Sequence, residues 1–470
     1  MLTMSRIVVA GGGIVGLSMA MMLAKQGHEV TVLERDAGAV PRSPDEAWQA
    51  WERQGIAQFR QAHFMHAAGR QLLDAMLPEV TQTLLRAGGN SFDLLSLMPP
   101  FIEDRAPRAG DERFVTVTAR RPVIEYAVAT TAGEHLDVRR GVAVAELLTG
   151  PATVDAVPHV TGVRTSDGEE LAADLVIDAM GRRSPLAGFL EDLGARPPAE
   201  EAEDLGFIYY TRYFRSLAGT PPAFITGPLT HFDSFSLLTL PGDAGTWSVT
   251  VFISSRDKAL KELRHEDRWT AVVAACPLHA HLLDGDPVTG IIPISGIADR
   301  FRRYVVDGTP LVTGIVPVGD SSCCTNPSLG RGMTMGLMHA AGTAEVAGEH
   351  LDDPLALALE HDRMTQARVT PWYQDTVKID RARKQQIDAS IEGRPAAPDD
   401  ASPVARALNT ALLYDAGMFR TLLEIVSMYA LPEEVFARPG FGDRVLAAAE
   451  GREAFTVPGP SRADLLKTLA

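Results

Sequence analysis

Hydrophobic residues first cluster at Ile7, Val8, Val9 and Ala10, a run that reads as a buried strand. Glycines follow at 11, 12, 13 and 16, and then Leu17, Ala20, Met21, Leu23 and Ala24 recur with the spacing of a helix face. Gly27 breaks that pattern, and a second apolar strand ends at Glu34. Residues 7–35 are therefore expected to form strand, turn, helix and strand. Residues 36–60 carry turn formers and charge, and predict a long surface segment. A helical pattern over 63–85 places Phe64, Ala67, Leu72, Leu73, Met76 and Leu77 on one face, with Gly88 and Gly89 closing it.

Residues 113–117 predict a strand, and 122–129 a helix that opens at a proline. In the stretch 159–181, Ser166-Asp167-Gly168 reads as a hairpin turn, and the apolar run 175–181 as a buried parallel strand ending at a ligand crevice. Between 204 and 255 the pattern becomes repeated β-rich runs with aromatic and β-branched residues, which predicts a separate antiparallel sheet. Residues 268–275 read as helix. At 310–342 an apolar strand leads through a Gly-Asp turn and a Pro/Gly loop into a helix of small residues. Beyond 353 the chain reads as almost all helix, interrupted by a Pro/Ala/Asp linker at 395–403. No internal repeat is visible.

Length and composition add bounds. The 470 residues are enough for two or three domains with a large core, and 46% hydrophobic with 22% charged residues is the balance of a soluble globular protein. The net charge of −16 argues against nucleic acid or an anionic membrane as the main partner. Three cysteines, Cys276, Cys323 and Cys324, cannot build a disulfide framework, and the adjacent pair lacks metal-ligand spacing. A reducing, cytoplasmic setting without a metal is expected. The glycine triplet and the single Arg6 make the apolar segment 7–24 neither a signal peptide nor a membrane span, and no other run is long enough to cross a bilayer.

The chemistry starts at Gly11-x-Gly13-x-x-Gly16. A dinucleotide-binding unit needs a glycine for the tight turn, one where backbone meets pyrophosphate and one where helix packs on strand, and the helix start offers free N–H groups to phosphate. Glu34 lies where an acid can accept hydrogen bonds from ribose hydroxyls. Far downstream, Gly319-Asp320 follows an apolar strand and precedes Pro327-Ser-Leu-Gly330-Arg331-Gly332-Met333. Together with Asp178 and Gly181 in DAMGRRS, these motifs resemble the FAD-dependent monooxygenase superfamily that includes para-hydroxybenzoate hydroxylase-like, squalene-epoxidase-like and polyether-epoxidase-like flavoproteins. The resemblance covers roughly residues 5–350.

The resemblance implies that Gly11, Gly13, Gly16 and Glu34 hold the ADP half of FAD, with Ile14, Val15, Arg35 and Val144 among its contacts. It implies that Asp320, after Gly319, accepts hydrogen bonds from the ribityl chain, and that Pro327, Gly330, Gly332 and Met333 meet the flavin ring. The Ala-Met pair between Asp178 and Gly181 departs from the commoner hydroxylase form and weakens the inference that this loop receives NAD(P)H. Reduced flavin carries negative charge around N1 and the C2 oxygen, and a helix opening at 330–333 presents backbone N–H groups to it. Arg121, in RRPVIE, matches an arginine near the flavin in the relatives, with Arg120 its rival by position. Arg60 and His63 match an RxxH segment. Arg331 is a candidate for tuning the flavin or meeting an acidic substrate, with a solvent-facing arginine as the plainer reading. Cys323, Cys324, Met333, Met335 and Met338 are expected to be core.

The expected fold is α/β: a Rossmann-like FAD-binding domain (1–80, 110–190 and 300–352), an inserted antiparallel substrate-binding sheet (81–109 and 191–299) and a C-terminal helical region (353–470). The implied activity is transfer of one oxygen atom from O2, through a flavin C4a-hydroperoxide, to an apolar or aromatic small molecule as hydroxylation or epoxidation. Tyr209, Tyr210, Tyr213, Phe232, Phe235 and Trp247 are candidates to supply the aromatic pocket. No second GxGxxG marks a separate nicotinamide site, and the resemblance implies that electrons come either from transiently bound NAD(P)H or from a partner flavin reductase. A flavin-dependent reductase of isoprenoid double bonds, similar to geranylgeranyl reductases, and a non-catalytic flavin carrier are the alternatives. Halogenation is disfavoured by GTWSVTVFI, which has one tryptophan and no proline. No catalytic acid or base is singled out, and the oligomeric state is left open.

Overall fold

The computed structural model describes residues 4–394, 403–453 and 456–469. The chain opens with β1 (Arg6–Ala10), α1 (Ile14–Lys25) and β2 (Glu29–Glu34). α2 (Arg121–Gly133) leads to β3 (Asp137–Arg140), and β4 (Leu175–Asp178) follows. The middle of the chain supplies β5 (Phe207–Arg215), β6 (Leu229–His231), β7 (Phe235–Pro241) and β8 (Thr246–Ser254). It then returns through β9 (Ile315–Pro317) to α3 (Gly332–His350), α4 (Pro354–Arg368), α5 (Thr370–Ile391) and α6 (Ala416–Val426).

One sheet is wholly parallel, in the order β9-β4-β1-β2-β3. Its register aligns Ala10 with both Leu33 and Asp178, and Asp178 with Pro317. The turns that leave β1, β4 and β9 and the acid that ends β2 therefore meet along one carboxyl edge, where open α/β sheets bind ligands. α1 is buried almost all round, with Met19, Ala20 and Leu23 fully covered between this sheet and α3. The small residues of α3 make the approach close enough: a Cβ at Gly336 would lie 2.5 Å from Val15.

The second large sheet is antiparallel, in the order β6-β7-β8-β5, with short strands at Asp286–Pro287 and Ile292–Ser295 also pairing with β5. One face, carrying Tyr210, Phe235, Leu237, Trp247 and Val249, packs on Trp269 and Val272 of the helix Glu266–Ala274. The other face looks back toward the parallel sheet. A buried ion pair ties the two parts: Arg120, just before α2, binds Asp243 in the β7–β8 turn at 2.6 Å, with both side chains at most 1% exposed.

The helix expected over 63–85 is two helices, Ala67–Met76 and Pro78–Arg86, because Pro78 opens a new first turn and Leu77 between them is not helical. The strand expected over 113–117 is shorter, Val115–Thr118, preceded by a 3-10 turn. The linker expected at 395–403 lies, up to residue 402, outside the described residues. No helix among the described residues is long and apolar enough to cross a membrane.

Candidate cofactor and substrate site

A cavity of about 600 Å³ follows the carboxyl edge of the parallel sheet from Glu34, past Asp320, to a chamber beneath β6 and β7. At its first end the three glycines do different work. A Cβ on Gly11, whose φ is +112°, would strike the Ala179 carbonyl at 2.3 Å, and one on Gly16 would strike the Gly11 carbonyl at 2.0 Å. At Gly13 a Cβ would meet nothing within 4 Å. It would instead occupy the space in front of α1, whose N-terminus carries no side-chain cap and so keeps its first N–H groups for a ligand. Ile14 and Val15, at the start of α1, line the same space. This cradle fits a pyrophosphate.

Glu34 is buried beside it. Its Oε2 accepts hydrogen bonds from Gly12 N at 2.9 Å and Arg53 Nη2 at 2.6 Å, and its Oε1 accepts from Asp36 N at 2.8 Å. A carboxylate has about four lone-pair sites, so one remains for a ribose hydroxyl. Arg53 also binds Asp36 at 3.0 Å and Glu125 at 3.3 Å, and its side chain is 2% exposed. Sequence reading missed it: Arg53 belongs to the segment expected to lie on the surface, and its only signal was a charge between Trp51 and a glycine turn. Arg35 is exposed at the cavity rim, and Val144 stands with Val142 and Ala143 on the wall nearby.

In the middle, Asp320 lies on the wall. Burial raises its pKa, against the pull of Arg121 and Arg182. Gly319, at φ +67°, turns the chain behind it and seats against Val15, where a Cβ would come within 3.1 Å. Asp178 is off the wall. Fully buried, it accepts hydrogen bonds from Met180 N at 3.0 Å and Ser184 Oγ at 2.6 Å, and burial pushes its pKa up to about 6. It shapes the turn that puts Ala179, Met180 and Gly181 on the cavity.

Of the two adjacent arginines, Arg121 faces the cavity and Arg120 is consumed by Asp243. Arg121 Nη1 donates to His63 Nε2 at 2.7 Å and its guanidinium also binds Glu125 at 3.1 Å. His63 Nδ1 lies 2.9 Å from the Gln61 carbonyl. Burial and the neighbouring Arg121 push the His63 pKa down to about 3, so the ring is neutral, donating through Nδ1 and accepting through Nε2. Arg60 points away, over Trp48 and Phe59.

The loop Pro327 to Met333 closes the far side, with Gly330 left-handed at φ +66° and Gly332 and Met333 opening α3. Arg331 is 5% exposed, which excludes the solvent-facing reading. Its guanidinium binds Asp375 at 2.8 Å and Thr376 Oγ1 at 3.0 Å and lies 5.2 Å over the Trp372 ring, all on α5. Cys323, Cys324, Met333 and Met335 are buried, although Cys324 and Met333 also reach the cavity wall.

The chamber itself is aliphatic: Leu229 of β6, Leu238 and Leu240 of β7, Leu422, Ile425 and Val426 of α6, with Phe64 at its floor. The aromatic set expected to form it is elsewhere. Tyr210, Phe232, Phe235 and Trp247 pack on the opposite sheet face, Tyr213 packs on Trp48, and Tyr209 stacks near Phe252 and donates to Asn326. Two-residue alternation places Phe235 and Leu237 on one side of β7 and Leu238 and Leu240 across the strand. The α6 contribution had no sequence signal beyond an apolar helical face.

A parallel sheet with this glycine cradle, Gly-Asp turn and closing loop is the fold of FAD-binding flavoproteins. The family model for FAD dependent oxidoreductases matches residues 6–203. Protein Rv3254 of Mycobacterium tuberculosis is 30% identical over 365 residues, 71% of each chain. The chain belongs to the FAD-dependent oxidoreductase family. Among solved structures it resembles a flavoprotein/dehydrogenase from Cytophaga hutchinsonii (TM-score 0.58, 16% identity, covering 95% of this chain and 98% of the other). It also resembles PqsL, a probable FAD-dependent monooxygenase from Pseudomonas aeruginosa (TM-score 0.57, 18% identity, 83% and 100%). These last two likenesses are of fold.

Proposed function

We propose that the protein is an FAD-dependent monooxygenase acting on a neutral, predominantly aliphatic small molecule. The observation that carries this reading is the continuity of the nucleotide crevice with an aliphatic chamber, the two meeting at the Gly330 loop. Reduced FAD, when bound, supplies the chemistry of O2 activation and transfer of one oxygen atom. The chain's own part is to bind, orient and keep dry. Gly11, Gly13, Gly16 and the start of α1 take the pyrophosphate, Glu34 the adenosine ribose and Asp320 the ribityl hydroxyls. The Gly330 N–H is bonded to the Pro327 carbonyl, and the backbone N–H groups of 331–333, where α3 opens, would meet the flavin's pyrimidine edge. Leu238, Leu240, Leu422 and Ile425 exclude water from the reacting centre and hold the substrate by its shape. Among the described residues, the carboxylates on the cavity wall are Glu34, Asp36 and Asp320, at its nucleotide end and middle rather than in the chamber, which suits an uncharged substrate.

The aliphatic lining would equally hold an isoprenoid chain for double-bond reduction, and the electron source is NAD(P)H or a partner flavin reductase. Turnover under 18O2 with candidate terpenoid and polyketide substrates tests the reading. One labelled oxygen in the product is expected, whereas product formation without O2 would establish the reductase instead. Flavin reduction by NADPH or NADH alone, followed in a stopped-flow instrument, decides between direct and partner-supplied electrons.

A further inference from the structure

His66 ends the extended segment that runs into the helix Ala67–Met76 and is held from several sides at once. Its backbone N–H donates to Thr334 Oγ1 of α3 at 3.1 Å. Its Nδ1 lies 2.5 Å from the carbonyl of Val426, at the end of α6, and its Nε2 lies 3.1 Å from the carbonyl of Leu329 in the Pro/Gly loop. A Cβ on Gly330 would stand 3.9 Å from that Nε2. The ring is 6% exposed, and Phe64 meets it edge-on at 5.1 Å.

Both ring nitrogens therefore face acceptors. A neutral imidazole owns one N–H, so one of the two carbonyls must face a lone pair; an imidazolium satisfies both. Burial and the charge of Arg331 oppose protonation and push the pKa down to about 4, while the carbonyls of Val426, Leu329 and Gly330 pull it up. The charged group facing the ring from the loop is Arg331, itself paired with Asp375 of α5. α3 presents the Thr334 hydroxyl and α6 a carbonyl, and among the described residues no carboxylate is hydrogen-bonded to the ring. A pair of carbonyls aimed at one imidazole is a proton site that lacks only a counter-charge.

We propose that His66 takes up a proton when the bound flavin is reduced and so places a positive charge under the Gly330 loop, making it a positioning residue for the anionic cofactor. This rests on the reading that FAD lies in the cavity with its pyrimidine edge at 330–333. The balance is simple. A two-electron donor, reduced nicotinamide or a dye in equilibrium with it, gives two electrons to the flavin. One proton from solvent goes to N5, leaving a single negative charge at N1 and the C2 oxygen. A second proton from solvent goes to His66 and is returned when the flavin is reoxidised.

The midpoint potential of the FAD-loaded protein, measured against a reference dye from about pH 6 to pH 8, tests this. Wild type is expected to change its reduction equilibrium hundredfold per pH unit, about 59 mV, with reduced-flavin absorbance of the anionic form. His66→Gln is expected to change it only tenfold, about 30 mV. A wild-type slope of one proton per two electrons overturns the proposal and requires no variant. So does a His66→Gln or His66→Asn protein that keeps the wild-type slope with an anionic reduced flavin. Purified protein that retains no FAD when FAD is supplied would instead overturn the cofactor reading beneath it, which makes the two failures distinguishable.

Discussion

Arg53 and Glu34 meet at 2.6 Å with 2% and 6% of their side chains exposed, so a segment that reads as surface supplies the charge that balances the ribose-binding acid. The same guanidinium also answers Asp36 and Glu125. Removing one member of a buried ionic group leaves the others uncompensated, at a cost of about 3–5 kcal/mol. Arg53→Met should therefore weaken FAD binding by roughly a hundredfold or more, and Glu34→Ala should give colourless protein. The flavin absorbance per protein after gel filtration checks both, and a fully yellow Glu34→Ala protein would remove Glu34 from the site.

Arg120 and Asp243 join the two sheets away from the cavity. Asp243→Ala should destabilise the protein by about 3–5 kcal/mol in denaturant unfolding, because Arg120 is left charged and fully buried. Folded Asp243→Ala protein should still bind FAD with an unchanged visible spectrum.

Leu422 faces the chamber from α6. Leu422→Trp fills it, so product formation with any substrate that wild type accepts should fall by at least about tenfold, the effect of 1–3 kcal/mol of overpacking or lost binding. FAD stoichiometry should not change. Equal loss of FAD and turnover would mean that α6 supports the cofactor rather than the substrate.

Arg331 is neutralised in part by Asp375. Arg331→Gln leaves that carboxylate unpaired near the Gly330 loop, so reduced flavin should become harder to form. The midpoint potential should drop by about 30 mV or more, a factor of ten for a two-electron couple. Restoring neutrality with Asp375→Asn in the same chain should recover most of the shift; no shift in the single variant would end Arg331's candidacy as a tuning residue.

Burial lowers the pKa of His63 to about 3 and of His66, His231, His279 and His361 to about 4. Unfolded histidines take up protons near pH 6.5, where the folded ones do not, so their contribution to stability is complete above that pH and is lost as pH falls toward 4. Asp178, Asp299 and Asp380, raised by burial to about 6, 6 and 7, act in the opposite sense: they favour the fold most below the unfolded value near 3.9, and that help is lost as pH rises to 6 or 7. With His28, His159 and His339 also lowered, eight histidines stand against four raised aspartates, Asp320 included, so near pH 5 the stability of the oxidised protein should rise with pH. Thermal midpoints at about pH 5 and about pH 6 check the sign, and His361→Gln should flatten the slope.

Motif spacing, together with the family resemblance it carries, pointed to Gly11, Gly13, Gly16, Glu34, Asp320 and the 327–333 loop, all of which line the cavity, because each motif depends on local backbone geometry: a tight turn, a helix start, a strand end. The order of strands and helices was legible for the same reason, since periodicity is local. Parallel pairing then aligned Ala10, Leu33, Asp178 and Pro317 in register, which brought residues more than 300 positions apart to one edge. What no local pattern could decide was direction across that edge. Arg120 and Arg121 are neighbours in sequence, yet only packing against the β7–β8 turn sends one to Asp243 and leaves the other to His63. The chamber's chemistry is also a tertiary outcome: alternation limits each strand to two faces, and which face is covered by the helix Glu266–Ala274 decided that aromatic residues became core and leucines met the cavity. Arg53, His66 and Leu422 act through partners far away in sequence, so their roles existed only once the chain had closed on itself.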